Sequence, residues 1–355
     1  MFVLVSGKAQ NSDSTSHHRL RKNAILPLPL VIKSIETGWS FGAVTAATYY
    51  INKKDTFSRT SNSELIALYS LKRQFVTALN GTQYFNHEKL ILSEQISFSS
   101  FPDKFWGIGP NAKNEAEESY SFKQIYVNLH PWIKLGRSLF IGFPFEMQKL
   151  ISVDYKPGGL LETQNIAGRD GYFIAGLGTS ITYDTRNHAF TPNGGTYLQL
   201  FFNHFDDYLG SHYTYSNLVV DFRKYMPLSR KTVLATQLNY FGVFGNQIPL
   251  RSLALLGGSN SMRGYHSGRF RDNQLLVAQA EWRHNFNKSL GIVFFGGLAN
   301  VADSPGKFEL RSIKHSFGGG FRFSLNKKER LNLRLDYGIG RDGNSGFYFQ
   351  IGEAF

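Results

Sequence analysis

Along most of the chain apolar and polar residues alternate one for one, in runs of about ten residues broken by turn-forming positions. A period of two puts neighbouring side chains on opposite faces of an extended strand. The clearest run is Phe173–Arg186. Phe173, Ala175, Leu177, Ile181 and Tyr183 share one face; Gly176, Gly178, Ser180, Thr182, Asp184 and Arg186 share the other. Near the carboxyl end Leu331, Leu333, Leu335, Tyr337 and Ile339 alternate with Asn332, Arg334, Asp336, Gly338 and Gly340. In the last run parity sends Phe347, Phe349, Ile351 and Phe355 outward and Tyr348, Gln350, Gly352 and Ala354 inward. It also puts Glu353 on the outer face, near an end where a carboxylate costs little.

Sixteen such runs can be placed. The first half gives Ala24–Lys33, Gly38–Ile51, Ser63–Leu71, Phe75–Phe85, Glu88–Phe101, Tyr120–Leu135, Leu139–Val153 and Phe173–Arg186. A ninth follows Asn193-Gly194-Gly195, and His212–Met226, Lys231–Phe244, Gln274–Asn287, Ser289–Ala302, Ile313–Leu325, Arg330–Arg341 and Ser345–Phe355 complete the set. Short and long connections tend to alternate. The pattern predicts an all-β fold: a single 16-stranded antiparallel transmembrane β-barrel over residues 24–355. A soluble sandwich would not need aromatic outer faces on strand after strand. Residues 1–23 read as a signal remnant and polar tail, with both termini periplasmic and the barrel integral to a bacterial outer membrane.

Two places depart from the alternation. Pro27 and Pro29 sit two apart in the first run, and proline cannot donate to a ladder, so this strand is an edge or a weakly paired one. Gly245–Asn273 is the longest segment with no alternation and becomes the sixth surface loop. It contains Leu255-Leu256-Gly257-Gly258-Ser259-Asn260-Ser261-Met262-Arg263-Gly264-Tyr265. We expect it to fold back into the lumen, because a guanidinium buried there needs a carboxylate. Glu281 and Asp336, both inward by parity, are the candidate partners of Arg263, while Arg269 and Arg271 are expected to contribute little.

Composition narrows the chemistry. The chain has no Cys, which removes disulfides, metal thiolates and a cysteine nucleophile. It lacks a Gly-x-Ser-x-Gly nucleophile turn, its ten His are scattered, and His17-His18 in the tail make a weak metal pair. Gly318-Gly319-Gly320 has no helix after it and is no phosphate loop. No enzyme activity, cofactor or metal is therefore expected. The net charge of +13 gathers at turns such as Lys53-Lys54, Arg230-Lys231 and Lys327-Lys328, which suits solvent or lipid headgroups better than nucleic acid.

Three segments resemble one family, the BamA/TamA superfamily of outer-membrane barrels, also called the bacterial surface-antigen family. Met262-Arg263-Gly264-Tyr265 is similar to its Arg-Gly-Phe/Tyr signature in the sixth loop. Tyr183-Asp184-Thr185-Arg186-Asn187 with Pro192 and Gly194-Gly195 resembles its Asp-Thr-Arg-Asn…Pro…Gly segment. Arg334-Leu335-Asp336-Tyr337-Gly338-Ile339-Gly340, before a strand ending in Phe355, is the third. Two departures stand out. Residues 1–23 occupy the place of the family's POTRA domains, so a short member without them is expected. Where the thirteenth strand of the family often reads Phe-x-Asp-x-Gly, this chain has Phe295, Gly297 and Ala299, without the Asp. The resemblance implies an insertase or translocator that assembles or transports outer-membrane proteins or lipids. Its seam would lie between first and last strands, involving Pro27, Pro29, Phe347, Phe349 and Phe355. The alternative is a closed structural subunit of a larger envelope complex. Implied partners are outer-membrane lipids and client proteins or complex subunits.

Overall fold

The computed structural model describes residues 23–355 apart from 53, 56, 57, 189, 190 and 327–330. The signal remnant and His17-His18 lie outside the described residues, as do Lys53, Lys327 and Lys328. Sixteen strands run in chain order. They are β1 Ala24–Ser34, β2 Gly38–Tyr49, β3 Ser61–Ser70, β4 Phe75–Phe85, β5 Leu90–Phe105 and β6 Glu118–Lys134. The seventh, β7, comes in two segments, Leu139–Gly142 and Phe145–Tyr155. Then follow β8 Tyr172–Asp184, β9 Gly195–Phe205, β10 Tyr215–Pro227, β11 Thr232–Phe244, β12 Gln274–Asn285, β13 Leu290–Ala302, β14 Lys314–Asn326, β15 Leu331–Gly340 and β16 Ser345–Ile351. Each pairs antiparallel with its sequence neighbour, and β1 pairs with β16, so the sheet closes on itself. Closure removes the open edges that a sheet this large would otherwise present, except along β1 away from its short contact with β16.

The outer face follows from the alternation. Leu177, Ile181 and Tyr183 of β8, Phe294 and Leu298 of β13, and Tyr337 and Ile339 of β15 are exposed, as lipid-facing side chains are. Their neighbours Ser180 and Thr182, Val293 and Phe295, and Arg334 and Asp336 are buried on the inner side. The chain termini and the short turns 86–89, 135–138, 228–231 and 286–289 mark one end of the barrel, called here the terminal end. The longer connections, 106–117, 156–171, 206–214, 245–273 and 303–313, crowd the opposite loop end. There an aromatic cluster built on Phe105, Tyr120, Phe122, Tyr172, Phe205 and Tyr215 packs the loops on the inner wall.

Two differences from the sequence pattern have local causes. The single run expected at Leu139–Val153 is broken at Phe143-Pro144, because Pro144 has no N–H to give and its carbonyl accepts from Gly178 N–H (2.9 Å) instead. The long segment Gly245–Asn273 contains a small hairpin of its own, with Ala254, Leu255 and Leu256 facing Asp272, Arg271 and Phe270.

Candidate functional site

β12 to β16 carry the polar side of an unusually charged patch of inner wall. Parity puts Glu281 and Arg283 of β12, Arg322 of β14, and Arg334 and Asp336 of β15 on that face, and all five are buried. Charges this deep persist only when they answer one another. Glu281 accepts from Arg283 Nε at 2.7 Å, and Asp336 accepts from Arg322 Nη1 at 2.5 Å.

Arg263, on the sixth loop, lies between these two pairs and is 1% exposed. Its Nη1 donates to Asp336 Oδ2 at 2.5 Å and its Nη2 donates to Glu281 Oε1. Its guanidinium also stacks on the Phe295 ring, 3.5 Å from the centroid. Two carboxylates on strands three apart are thus bridged by one planar fork, a geometry that a lysine ammonium cannot reproduce. The carboxylate absent from position 297 on β13 is supplied from β12 and β15. Gly297 instead makes room for Met262, since a Cβ there would stand 2.9 Å from the Met262 sulfur.

Glycines bring the loop against the wall. A Cβ on Gly338 would lie 2.6 Å from the Arg263 carbonyl, and one on Gly340 would lie 2.6 Å from the Tyr265 ring. Gly264 itself has φ +112, a conformation that favours glycine. On β14 the Phe295 ring covers Gly318 and the Asp336 carboxylate covers Gly320. Gly264 N–H donates to the Tyr348 hydroxyl of β16 at 2.9 Å, and the Tyr265 hydroxyl donates to the His315 carbonyl at 2.9 Å. The segment therefore touches five consecutive strands, ending on the last one.

Arg283 and Arg322 escaped the sequence reading although parity carried their signal, and Arg334, already placed inward, was not expected to take part. Arg283 stands two after Glu281, Arg322 two after Gly320, and Arg334 two before Asp336. Arg334 donates to Asn260 Oδ1 of the loop at 2.7 Å. Arg269 and Arg271, expected to contribute little, are both buried. Arg269 reaches Asn114 Oδ1 (2.6 Å) and the Ala112 carbonyl (3.0 Å), and Arg271 reaches the Lys104 carbonyl (2.9 Å). They fasten the sixth loop to the third. Ser267 N–H donates to Glu36 Oε1 (2.8 Å), which adds a tie to the β1–β2 connection.

The tail after β16 needs a second correction. Gly352 has φ +91 and breaks the alternation, so Glu353 turns inward, accepting from Arg322 Nε (2.7 Å) and Asn332 Nδ2 (2.8 Å). Phe355 does not face outward at the seam. It packs inside with Tyr225, Val233 and Ala235, and its main-chain oxygen accepts from Arg283 at 2.9 Å. Parity fails here because the extended strand ends at Ile351, and beyond the positive-φ Gly352 the residues Glu353, Ala354 and Phe355 all turn inward instead of alternating.

The seam itself is short. β1 pairs with β2 along its whole length, from Ala24↔Thr48 to Ser34↔Gly38, but meets β16 at Lys33↔Phe349. Ala24–Pro29, including Pro27 and Pro29, are exposed and extend past the end of β16. Around the contact, Trp39 and Phe349 approach to 6.1 Å between centroids, and Lys33 Nζ lies over the Phe347 ring. At the terminal end of the opposite wall, Asp184 holds Arg186 through two hydrogen bonds (3.0 and 2.8 Å), and Arg186 stacks on Tyr197. Pro192 is buried in the same turn, and Gly194 accepts there from Asn187 N–H (3.2 Å).

Comparison with known proteins agrees with this architecture. Among solved structures, BamA from Haemophilus ducreyi lacking POTRA domains 1–3 matches with a TM-score of 0.64 at 15% identity, over 94% of this chain and 70% of that one. CdiB from Acinetobacter baumannii matches at 0.58 and 13% identity, and CdiB from Escherichia coli at 0.59 and 10%, each over 93% of this chain. The chain spans 59% and 62% of the two CdiB chains. No curated protein sequence matches it. The model of the Omp85 superfamily domain matches residues 49–355, and the chain accordingly belongs to the Omp85 superfamily of outer-membrane barrels.

Proposed function

We propose that this barrel inserts or translocates outer-membrane clients by parting its wall between β1 and β16. The observation that supports this reading most is the seam: one register contact at Lys33↔Phe349, with the edge of Ala24–Pro29 left exposed. By contrast β15 and β16 pair from Leu333↔Ile351 to Ile339↔Ser345. An edge that offers free N–H and C=O groups can take up an added strand, and Pro27 and Pro29 keep the native wall from zipping further. In this reading the termini face the periplasm. Arg263, Gly264 and Tyr265, with Glu281 and Asp336, act as a lock that holds the sixth loop against the five strands nearest the seam while β1 moves.

The absence of native Cys makes the test direct. In Lys33→Cys/Phe349→Cys, oxidation joins the facing positions across the seam. Cells that depend on this barrel should stop assembling their outer-membrane clients when the pair is oxidised and resume after reduction. Undiminished client assembly in the fully oxidised form would rule out wall opening.

A further inference from the structure

The net charge of +13 is not spread evenly over the molecule. At the loop end, the carboxylates of Glu115 and Glu117, Asp170, Asp206 and Asp207, Asp303, and Asp342 offset cations in the same connections, among them Lys113, Lys156, Arg169, Lys307, Arg311 and Arg341. At the terminal end the described turns carry Asp55, Glu88 and Asp184, and each is already engaged. Asp55 accepts from Ser58, Glu88 holds Arg59 (2.9 Å), and Asp184 holds Arg186 (2.8 Å). Lys89, Arg137, Arg230 and Lys288 are exposed on the same rim, and among the described residues none of them forms an ion pair. Lys231 beside them donates to the Phe286 carbonyl and remains exposed.

Each of three turns also exposes a large apolar side chain next to its cation. Leu135 precedes Arg137, Leu228 precedes Arg230 and Lys231, and Phe286 precedes Lys288, with exposures of 60%, 57% and 46%. An apolar group beside a cation at the edge of a lipid-facing wall suits the boundary between acyl chains and phosphate. Water alone would favour the cation and not the apolar neighbour.

We propose that this rim, from the β4–β5 turn to the β12–β13 turn, holds the phosphates of anionic phospholipids in the leaflet at the terminal end. The proposal rests on the reading that this end faces the phospholipid leaflet, but it does not depend on seam opening. The apolar side chains sink into the acyl boundary, and the guanidinium and ammonium groups meet the headgroup phosphates. The interaction is electrostatic and therefore weakens with salt.

The test uses the folded barrel in a non-ionic detergent with equimolar phosphatidylglycerol and phosphatidylethanolamine, read by native mass spectrometry. Retained phosphatidylglycerol should exceed phosphatidylethanolamine on the order of tenfold at low salt. The preference should vanish in Arg137→Gln/Arg230→Gln/Lys231→Gln/Lys288→Gln but survive in the loop-end control Lys307→Gln/Arg311→Gln. Heat-modifiable migration on a semi-native gel checks that both variants are folded. Equal retention of the two lipids, or a preference unchanged by the rim substitutions, would overturn the proposal. So would stronger retention of lipid A through the same four residues, since that would assign the rim to the other leaflet. No client protein is present in the assay, so its failure is distinct from failure of the gating reading.

Discussion

Asp336→Ala is expected to free the sixth loop and to destabilise the barrel by about 3–5 kcal/mol, the usual cost of breaking a buried pair from one side. Asp336 receives Arg263 and Arg322 at 2.5 Å each and lies 3.8 Å from Arg334. Without it, Arg263 keeps Glu281, Arg322 keeps Glu353, and Arg334 keeps only the neutral oxygen of Asn260. Three cations would lose one shared anion inside the wall. Arg263→Ala is gentler on the wall, because Arg283, Arg322 and Arg334 then face Glu281, Asp336 and Glu353 in equal number. It should nonetheless release the loop. Denaturant midpoints followed by tryptophan fluorescence give the stability, and limited trypsin digestion at Arg269 and Arg271 reports the loop. An Asp336→Ala barrel with an unshifted midpoint and a protected loop would contradict the lock.

Gly338→Val should release the same loop with every charge left in place. A Cβ at that position would stand 2.6 Å from the Arg263 carbonyl carbon and oxygen and 2.8 Å from the Gly264 nitrogen, all backbone atoms that cannot swing aside. Valine is otherwise favoured over glycine in a strand, so a loss of stability here would come from the displaced loop. Gly306→Val provides the contrast, because nothing lies within 4 Å of its added Cβ. We expect trypsin to cut the sixth loop of Gly338→Val at least several times faster than that of Gly306→Val, with a lower denaturant midpoint. Equal digestion of the two would mean that the loop does not depend on close approach to β15.

The wall was legible because a two-residue period assigns a face to each position without knowledge of its neighbours. Glu281, Arg334 and Asp336 could be placed inward on that basis alone. Which of them meet is another matter, since it depends on the stagger between strands. Asp336 stands opposite Gly320 and Tyr348, and Glu281 opposite Phe295, registers that hydrophobic pattern does not encode. The period also fails wherever a residue adopts a special backbone conformation. Gly352 sends Glu353 and Phe355 inward, and Pro144 splits β7 without altering the apolar count. The contacts of Arg269 and Arg271 could not be read because a loop has no period, and their partners Asn114, Ala112 and Lys104 lie about 155–167 positions away in sequence.

Gly264 meets Tyr348 across 84 positions of chain, and Arg263 meets Asp336 across 73. Neither contact can form until the carboxyl-terminal strands are laid down, and we expect the lock to close late in folding. Interactions missing from the folding transition state leave the folding rate alone and slow the unfolding rate. The loop is thus a kinetic brake on disassembly: Arg263→Ala should steepen escape from the native state in unfolding jumps, while refolding into bilayers proceeds at its original pace.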